Sequence, residues 1–189
     1  WEWTARILHE VDVFEVPSRE IAVERAAERA ETLPAGEWII GHGWAQDVWP
    51  DRAFPTAAEL DRKIPDHPVY LRAKSAHAFW ANSYALKVAG IDANTPDPEG
   101  GHIDRDESGQ PTGLLFENAG SLITRHIPPQ STEHIADQML EAQKLALASG
   151  ITGIHDFDGP RCLRALQILR ERDQLTLRVV KNINDECIH

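Results

Sequence analysis

Three places in this chain carry side chains whose type and setting could do chemistry. The first is a lone carboxylate: Leu114, Leu115 and Phe116 run straight into Glu117. Burying an ionised carboxylate without partners is costly, so Glu117 is expected at the surface, beside a partner, or at work. A plainer role is an acid at the head of a helix starting at ENAGSLI, favoured by the helix dipole by ~0.5 kcal/mol. The second is His77 in KSAHAFWANSYAL, between a strand end and a helix cap. An imidazole beside Phe79 and Trp80 could orient a substrate carbonyl or carboxylate, or simply pack on Trp80. The third is His155-Asp156 at the end of the strand-like ITGIHDF. Ligands of parallel α/β folds bind beyond the carboxyl ends of strands, which makes both residues candidates. They point to opposite sides of the strand, so at most one faces a given pocket.

The nine histidines form no HxH, no HExxH and no helical pair flanking an acid, so their spacing gives no self-contained metal site. A carboxylate-pair hydrolase built on Asp104 or Asp106 with Glu117 lacks any spacing that fixes the required separation. Two cysteines, Cys162 and Cys187, with no CxxC pair, read as reduced thiols and fit a cytoplasmic compartment.

The elements that must position these residues follow from periodicity and punctuation. Ser18 caps an amphipathic helix over 19 to 33, ended by Pro34-Ala35-Gly36. Trp38 to Ile40 reads as a strand broken at Gly41-His42-Gly43. Thr56 and Glu59 form a capping-box signature for a helix to Lys63. Pro68 to Leu71 is the next strand, and Asn82 or Ser83 caps a helix to Ala89 that Gly90 ends. His102 to Asp104 and Thr112 to Phe116 pair as a hairpin around Glu107-Ser108-Gly109. Past a boundary at 119 to 130 come a long helix ending at Gly150, a strand from Ile151 to Phe157, a helix from Arg161 to Arg172 and a strand from Leu175 to Ile183. That rhythm is one of parallel βα units. With 189 residues and a net charge of -11, the chain excludes a nucleic-acid surface and an anionic membrane as partners. No apolar run is long enough to span a bilayer.

In order, EWIIGHGW, PTAAELDRKIPDHPVYLRAKSAHAFWANSYALKVAGI, TPDPEGGHIDRDESGQPTGLLFENA and SGITGIHDFDG resemble successive signatures of amidohydrolase family 3, the N-substituted formamide deformylase-like metal-dependent hydrolases. The resemblance runs from Val11 to Val180. It implies an α/β fold, a distorted (β/α)8 (TIM-type) barrel with an inserted α+β subdomain. It also implies hydrolysis of a small-molecule amide-type carbon-nitrogen bond by water activated on one or two divalent metals, zinc being the expected ion. Such enzymes carry an HxH pair on the first barrel strand; later strands supply a bridging Lys or Glu, two His and an Asp. Neither the HxH nor the later ligands are in this chain, and a complete barrel needs roughly 250 residues.

The chain is therefore expected to be an internal fragment, inactive and without metal by itself. Residues 1 to 36 would be a barrel-associated helical segment, 37 to 118 the inserted subdomain, and 119 to 189 the βα units. His77 and Asn82 match a GHxxxxNS-like motif of the family, with Ala76 here in place of glycine. Glu117 matches the glutamate of GxLxE, as a catalytic or metal-binding carboxylate. His77, Asn82, His155 and Asp156 are the candidate substrate contacts, and a homo-oligomer is a candidate assembly. The competing class is a stand-alone ligand-binding or oligomerisation module presenting Trp38, Trp44, Trp49, Phe54, Phe79 and Trp80; a core role for these rings is the alternative.

Overall fold

The structure, a computed structural model, describes residues 1–183; Cys187 lies outside the described residues. The described residues form two compact units, one of residues 1–9 with 129–183 and one of Glu10–Pro128.

In the first unit, α1 (Glu2–Ile7) belongs with elements from the other end of the sequence. The second unit is built on six strands: β1 (Val11–Asp12), β2 (Ile39–Trp44), β3 (Val69–Ala73), β4 (Ala78–Ala81), β5 (Gly101–Arg105) and β6 (Pro111–Glu117). Their spatial order is β1-β2-β3-β4-β6-β5. The first three pair in parallel, whereas β3 with β4, β4 with β6 and β6 with β5 are antiparallel. It follows that β1, β2, β3 and β6 all run the same way and end at the same edge of the sheet.

Four helices cover that sheet. Ser18 caps α2 (Arg19–Ala30) by accepting from the Ile21 N–H. The Glu59 carboxylate reaches back to the Thr56 N–H ahead of α3 (Ala57–Asp61), as the capping-box spacing requires. These two helices pack on one face, against Val11, Ile39, Leu71, Trp80 and Leu114. On the other face α4 (Ser83–Ala89) and α5 (Ser121–Thr124) meet Tyr70, Ala81, Ile103 and Leu115. The alternation of side chains along each strand separates the two cores.

Trp44, Trp49 and Trp80 pack ring on ring, and their indole N–H groups donate to the Leu71, Val16 and Thr56 carbonyls. They are core residues, not a presented surface; Phe54 stays exposed. Residues 10 to 36 belong to the second unit, where β1 pairs with β2 and α2 packs on the same sheet.

The remainder of the first unit is α6 (Thr132–Ala148), β7 (Gly153–Asp156), α7 (Pro160–Glu171) and β8 (Arg178–Lys181). The strands pair in parallel, Asp156 opposite Lys181. Ile135, Met139, Ala142, Cys162, Leu166 and Leu169 form the core with Ala5. Helix, strand, helix, strand is the expected βα rhythm. Among the described residues, no helix is long and apolar enough to cross a membrane.

Candidate functional site

The common carboxyl edge of β1, β2, β3 and β6 gathers the unusual backbone of the chain. Of the five non-glycine residues with positive φ among those described, four lie in connections leaving these strands: Glu15 after β1, Arg52 after β2, Ala76 after β3 and Glu117 at the end of β6. Such conformations cost on the order of 1–3 kcal/mol each and concentrate at functional sites, held there by the surrounding fold.

Glu117 has φ 49° and ψ -127°. That is the conformation of the first central residue of a type II′ turn, where glycine is the rule. Its neighbours impose it. The Glu117 N–H donates to the His77 carbonyl at 3.0 Å and the Asn118 N–H to the Gly100 carbonyl at 3.2 Å. Gly101 lets the Ala119 amide approach so closely that a Cβ would lie 2.3 Å from its nitrogen, and Gly120 makes the same room for the Phe79 ring.

His77 reaches Glu117 through register. Ala78 pairs with Phe116 across β4 and β6, so the next residues along, His77 and Glu117, face one another. Their side chains join: His77 Nδ1 lies 3.0 Å from Glu117 Oε2. With an ionised carboxylate as acceptor, His77 Nδ1 is the donor of this bond. The side chains are 70% and 57% exposed, so a ligand can reach both. Ala76 directs the loop. Its N–H closes a turn onto the Ala73 carbonyl at 3.0 Å, and at φ 62° it takes the left-handed position that usually falls to glycine. The absence of glycine at this motif position therefore does not change the conformation; alanine adopts it under strain.

The other sequence candidates lie apart from this pair. Asn82 is fully buried and uses its whole hydrogen-bonding capacity inside the fold. Its Oδ1 accepts from the Val69 and Ala85 N–H groups, and its Nδ2 donates to the Ile64 and His67 carbonyls. It caps α4 and leaves no group for a substrate. His155 is exposed on β7 while Asp156 is buried, the two on opposite sides of the strand. Asp156 is a hub, accepting from the Trp1 amino group, from Lys181 Nζ at 2.7 Å and from the Cys162 thiol. Burial alone would raise its pKa, but the hydrogen bonds from Lys181 and the Trp1 amino group outweigh it and hold the carboxyl below its usual range. Asp104 accepts from the Thr112 hydroxyl, and Asp106 closes the hairpin turn through the Ser108 and Gln110 N–H groups. Neither is paired with Glu117.

Sequence reasoning did not single out the Glu10–His42–Arg72 cluster. Asp12, His42 and Arg72 are register partners on β1, β2 and β3, and Glu10 Oε2 lies 3.0 Å from Arg72 and 3.5 Å from His42 Nδ1. The strand periodicity of IIGHGW and VYLRA carries this signal, since it places His42 and Arg72 on one face. Lys74 was also passed over. It contacts Glu15 Oε1 at 3.5 Å and sits over the Phe14 ring, 4.4 Å from its centroid.

For a metal, the Glu117 edge offers one carboxylate and one imidazole, both of them ligand types for a divalent ion. Among the described residues, the group of three donors close enough to share an ion is Asp156, Asp158 and Cys162. Lys181 already pairs with Asp156, and burial pushes the Cys162 thiol up to about 12, so an ion here would have to displace both the ammonium and the thiol proton. The donors at the Glu117 edge fit part of a metal centre, and the Asp156 hub is an ion-paired structural joint.

Comparison with known proteins places the chain in a family. The Amidohydrolase family model matches residues 9–188. A "Putative amidohydrolase YtcJ" of Bacillus subtilis (strain 168) is 40% identical over 149 residues, which is 79% of this chain and 28% of that protein. An "N-substituted formamide deformylase" of Arthrobacter pascens is 39% identical over 66% of this chain and 24% of its own length. The chain thus spans about a quarter of these curated relatives. A solved metal-dependent hydrolase from Pyrococcus furiosus superposes with a TM-score of 0.66 at 26% identity, covering 96% of this chain and 35% of its own. Its counterpart from Pyrococcus horikoshii OT3 gives 0.69 at 25%. A family match across nearly the whole length, with solved metal-dependent hydrolases of the same fold, means that this chain belongs to the amidohydrolase family.

Proposed function

We propose that this chain is a segment of a metal-dependent hydrolase that cleaves an amide-type carbon-nitrogen bond of a small molecule. In this reading Glu117 is the catalytic carboxylate and His77 its partner. The observation that carries it is a reachable carboxylate–imidazole pair on backbone that the fold forces into a glycine-like turn. A divalent metal, zinc by expectation, would supply a bound water of lowered pKa and polarise the scissile carbonyl. Glu117 and His77 are the donors this chain could contribute to it, the others lying on sequence outside residues 1 to 189.

The chemistry of the chain's own residues follows from their geometry. His77 Nδ1–H fixes one oxygen of Glu117 and leaves the other to accept a proton or a substrate N–H. Preorganisation comes from the turn, whose strain is offset by hydrogen bonds and close packing elsewhere. The βα units of the first unit are read as part of a distorted (β/α)8 barrel, completed by strands outside this chain, and the protein as cytoplasmic.

Amine release from N-substituted formamides and simple N-acyl amides, with zinc supplied, tests the reading in the 189-residue chain and in the full-length protein that contains it. The expected result is metal-dependent hydrolysis by the full-length protein and none by the 189-residue chain. A full-length protein that binds no divalent metal and hydrolyses no amide would overturn it.

A further inference from the structure

The row of side chains along the carboxyl edge continues beyond His77 and Glu117. The register that pairs Arg72 with Phe79 across β3 and β4 sets Lys74 opposite His77, just as the β4–β6 register sets His77 opposite Glu117. The Lys74 N–H donates to the Trp44 carbonyl at 2.8 Å, which ties the loop to the end of β2. Lys74 Nζ meets Glu15 from the connection after β1. Glu15, Lys74, His77 and Glu117 therefore form a polar row across the edge, contributed by two connections and a strand end.

Glu15 is held where it is. It has φ 54°, and the backbone before it presses on Gly43, where a Cβ would lie 2.8 Å from Phe14 Cα. The Phe14 ring lies beneath the Lys74 ammonium, a cation–π contact that fixes the cation beside the row. Lys74 and Glu15 are 51% and 67% exposed, so an outside carboxylate can compete for the same ammonium.

We propose that Lys74 is the docking point for a carboxylate group on the substrate, and that Glu15 occupies this position as a built-in competitor while the substrate is absent. The proposal rests on reading this edge as the ligand-facing site. It narrows the substrate class to amide-type molecules bearing a carboxylate, which Lys74 would hold while the amide nitrogen side lies toward His77 and Glu117. A single ammonium on an aromatic ring suits a monovalent carboxylate, and the strained Glu15 is displaced without unfolding any element.

Acetate titration of the 189-residue chain, followed by 15N–1H NMR at constant ionic strength with acetamide as the neutral control, tests this directly. Glu15→Gln is expected to lower the acetate Kd read at the Lys74 and His77 amides at least threefold. Lys74→Gln should abolish the saturable shifts, and acetamide should cause none. Glu15→Gly, which suits the positive φ, removes the same carboxylate and should repeat the gain if the glutamine variant folds poorly. Equal Kd values in the unaltered, Glu15 and Lys74 variants, or shifts spread evenly over the surface, would overturn the proposal. The His77 ring nitrogens in the same samples report its pairing with Glu117 independently, so loss of acetate binding and loss of the His77–Glu117 pair are separate results.

Discussion

At Glu117 a charged side chain stands on backbone that glycine would occupy with less strain, and at Ala76 an alanine does the same one strand away. Ala76 touches the site only through the path of the loop, so replacing it isolates the strain. Ala76→Gly is expected to stabilise the protein by about 1 kcal/mol, read as a higher urea midpoint at unchanged slope, with His77 still paired to Glu117. Asp156 gives a second expectation. Its native pKa lies below the unfolded one, so its contribution to stability is fully present above about pH 4 and is lost as the pH falls through the depressed native value. Asp156→Ala removes the carboxylate facing Lys181, which keeps only the Asp158 and Asn182 carbonyls, and should cost about 3 kcal/mol at neutral pH, with a flatter acid limb in the unfolding profile. Glu117 was legible in the sequence because an apolar strand runs into it. Its partner and its backbone were not, since both depend on strand register and on the close approach at Gly101. Asn82 was legible as a helix cap; that the cap would also consume both amide protons against two carbonyls was not.

Element by element, punctuation was the reliable signal. The capping box at Thr56–Glu59, the hairpin around Glu107-Ser108-Gly109 and the helix stop at Gly90 all appear in the fold. Periodicity could not show that β1 joins the six-stranded sheet, because two residues of strand carry no pattern of their own. The carboxyl edge is likewise a property of pairing order: β6 joins β1, β2 and β3 in direction only because β4 lies between it and β3. The glycines holding this edge can be told apart by substitution. Gly101→Ala drives a Cβ into the Ala119 amide and should cost roughly 2–4 kcal/mol while disturbing the Glu117 turn. Gly109→Ala meets open space at φ 83° and should cost about 1 kcal/mol, leaving Glu117 untouched. Thermal or urea unfolding, with the His77 ring signals as the local readout, separates the two.

For the whole molecule, the order of motifs was worth more than any one of them. No histidine pair announced a metal, yet the family match spans residues 9–188, and a structural neighbour aligns along 96% of the chain. The net charge of -11 argued against a phosphate-binding surface in the sequence but said nothing of chemistry. The two units divide the work: one frames a strained, reachable carboxylate edge, and the other presents the parallel βα pattern closed by the Asp156 hub. Two donors at that edge are fewer than a metal centre needs, which is why the proposed activity is assigned to a longer protein. The central claim, that Glu117 is its catalytic carboxylate, is tested most directly by kcat for amide hydrolysis in full-length Glu117→Gln with metal content measured alongside. The expected result is a loss of 100-fold or more, in keeping with removal of a positioned acid–base group, at unchanged fold. A variant that retains full metal and turns over within a few-fold of the unaltered enzyme would contradict it.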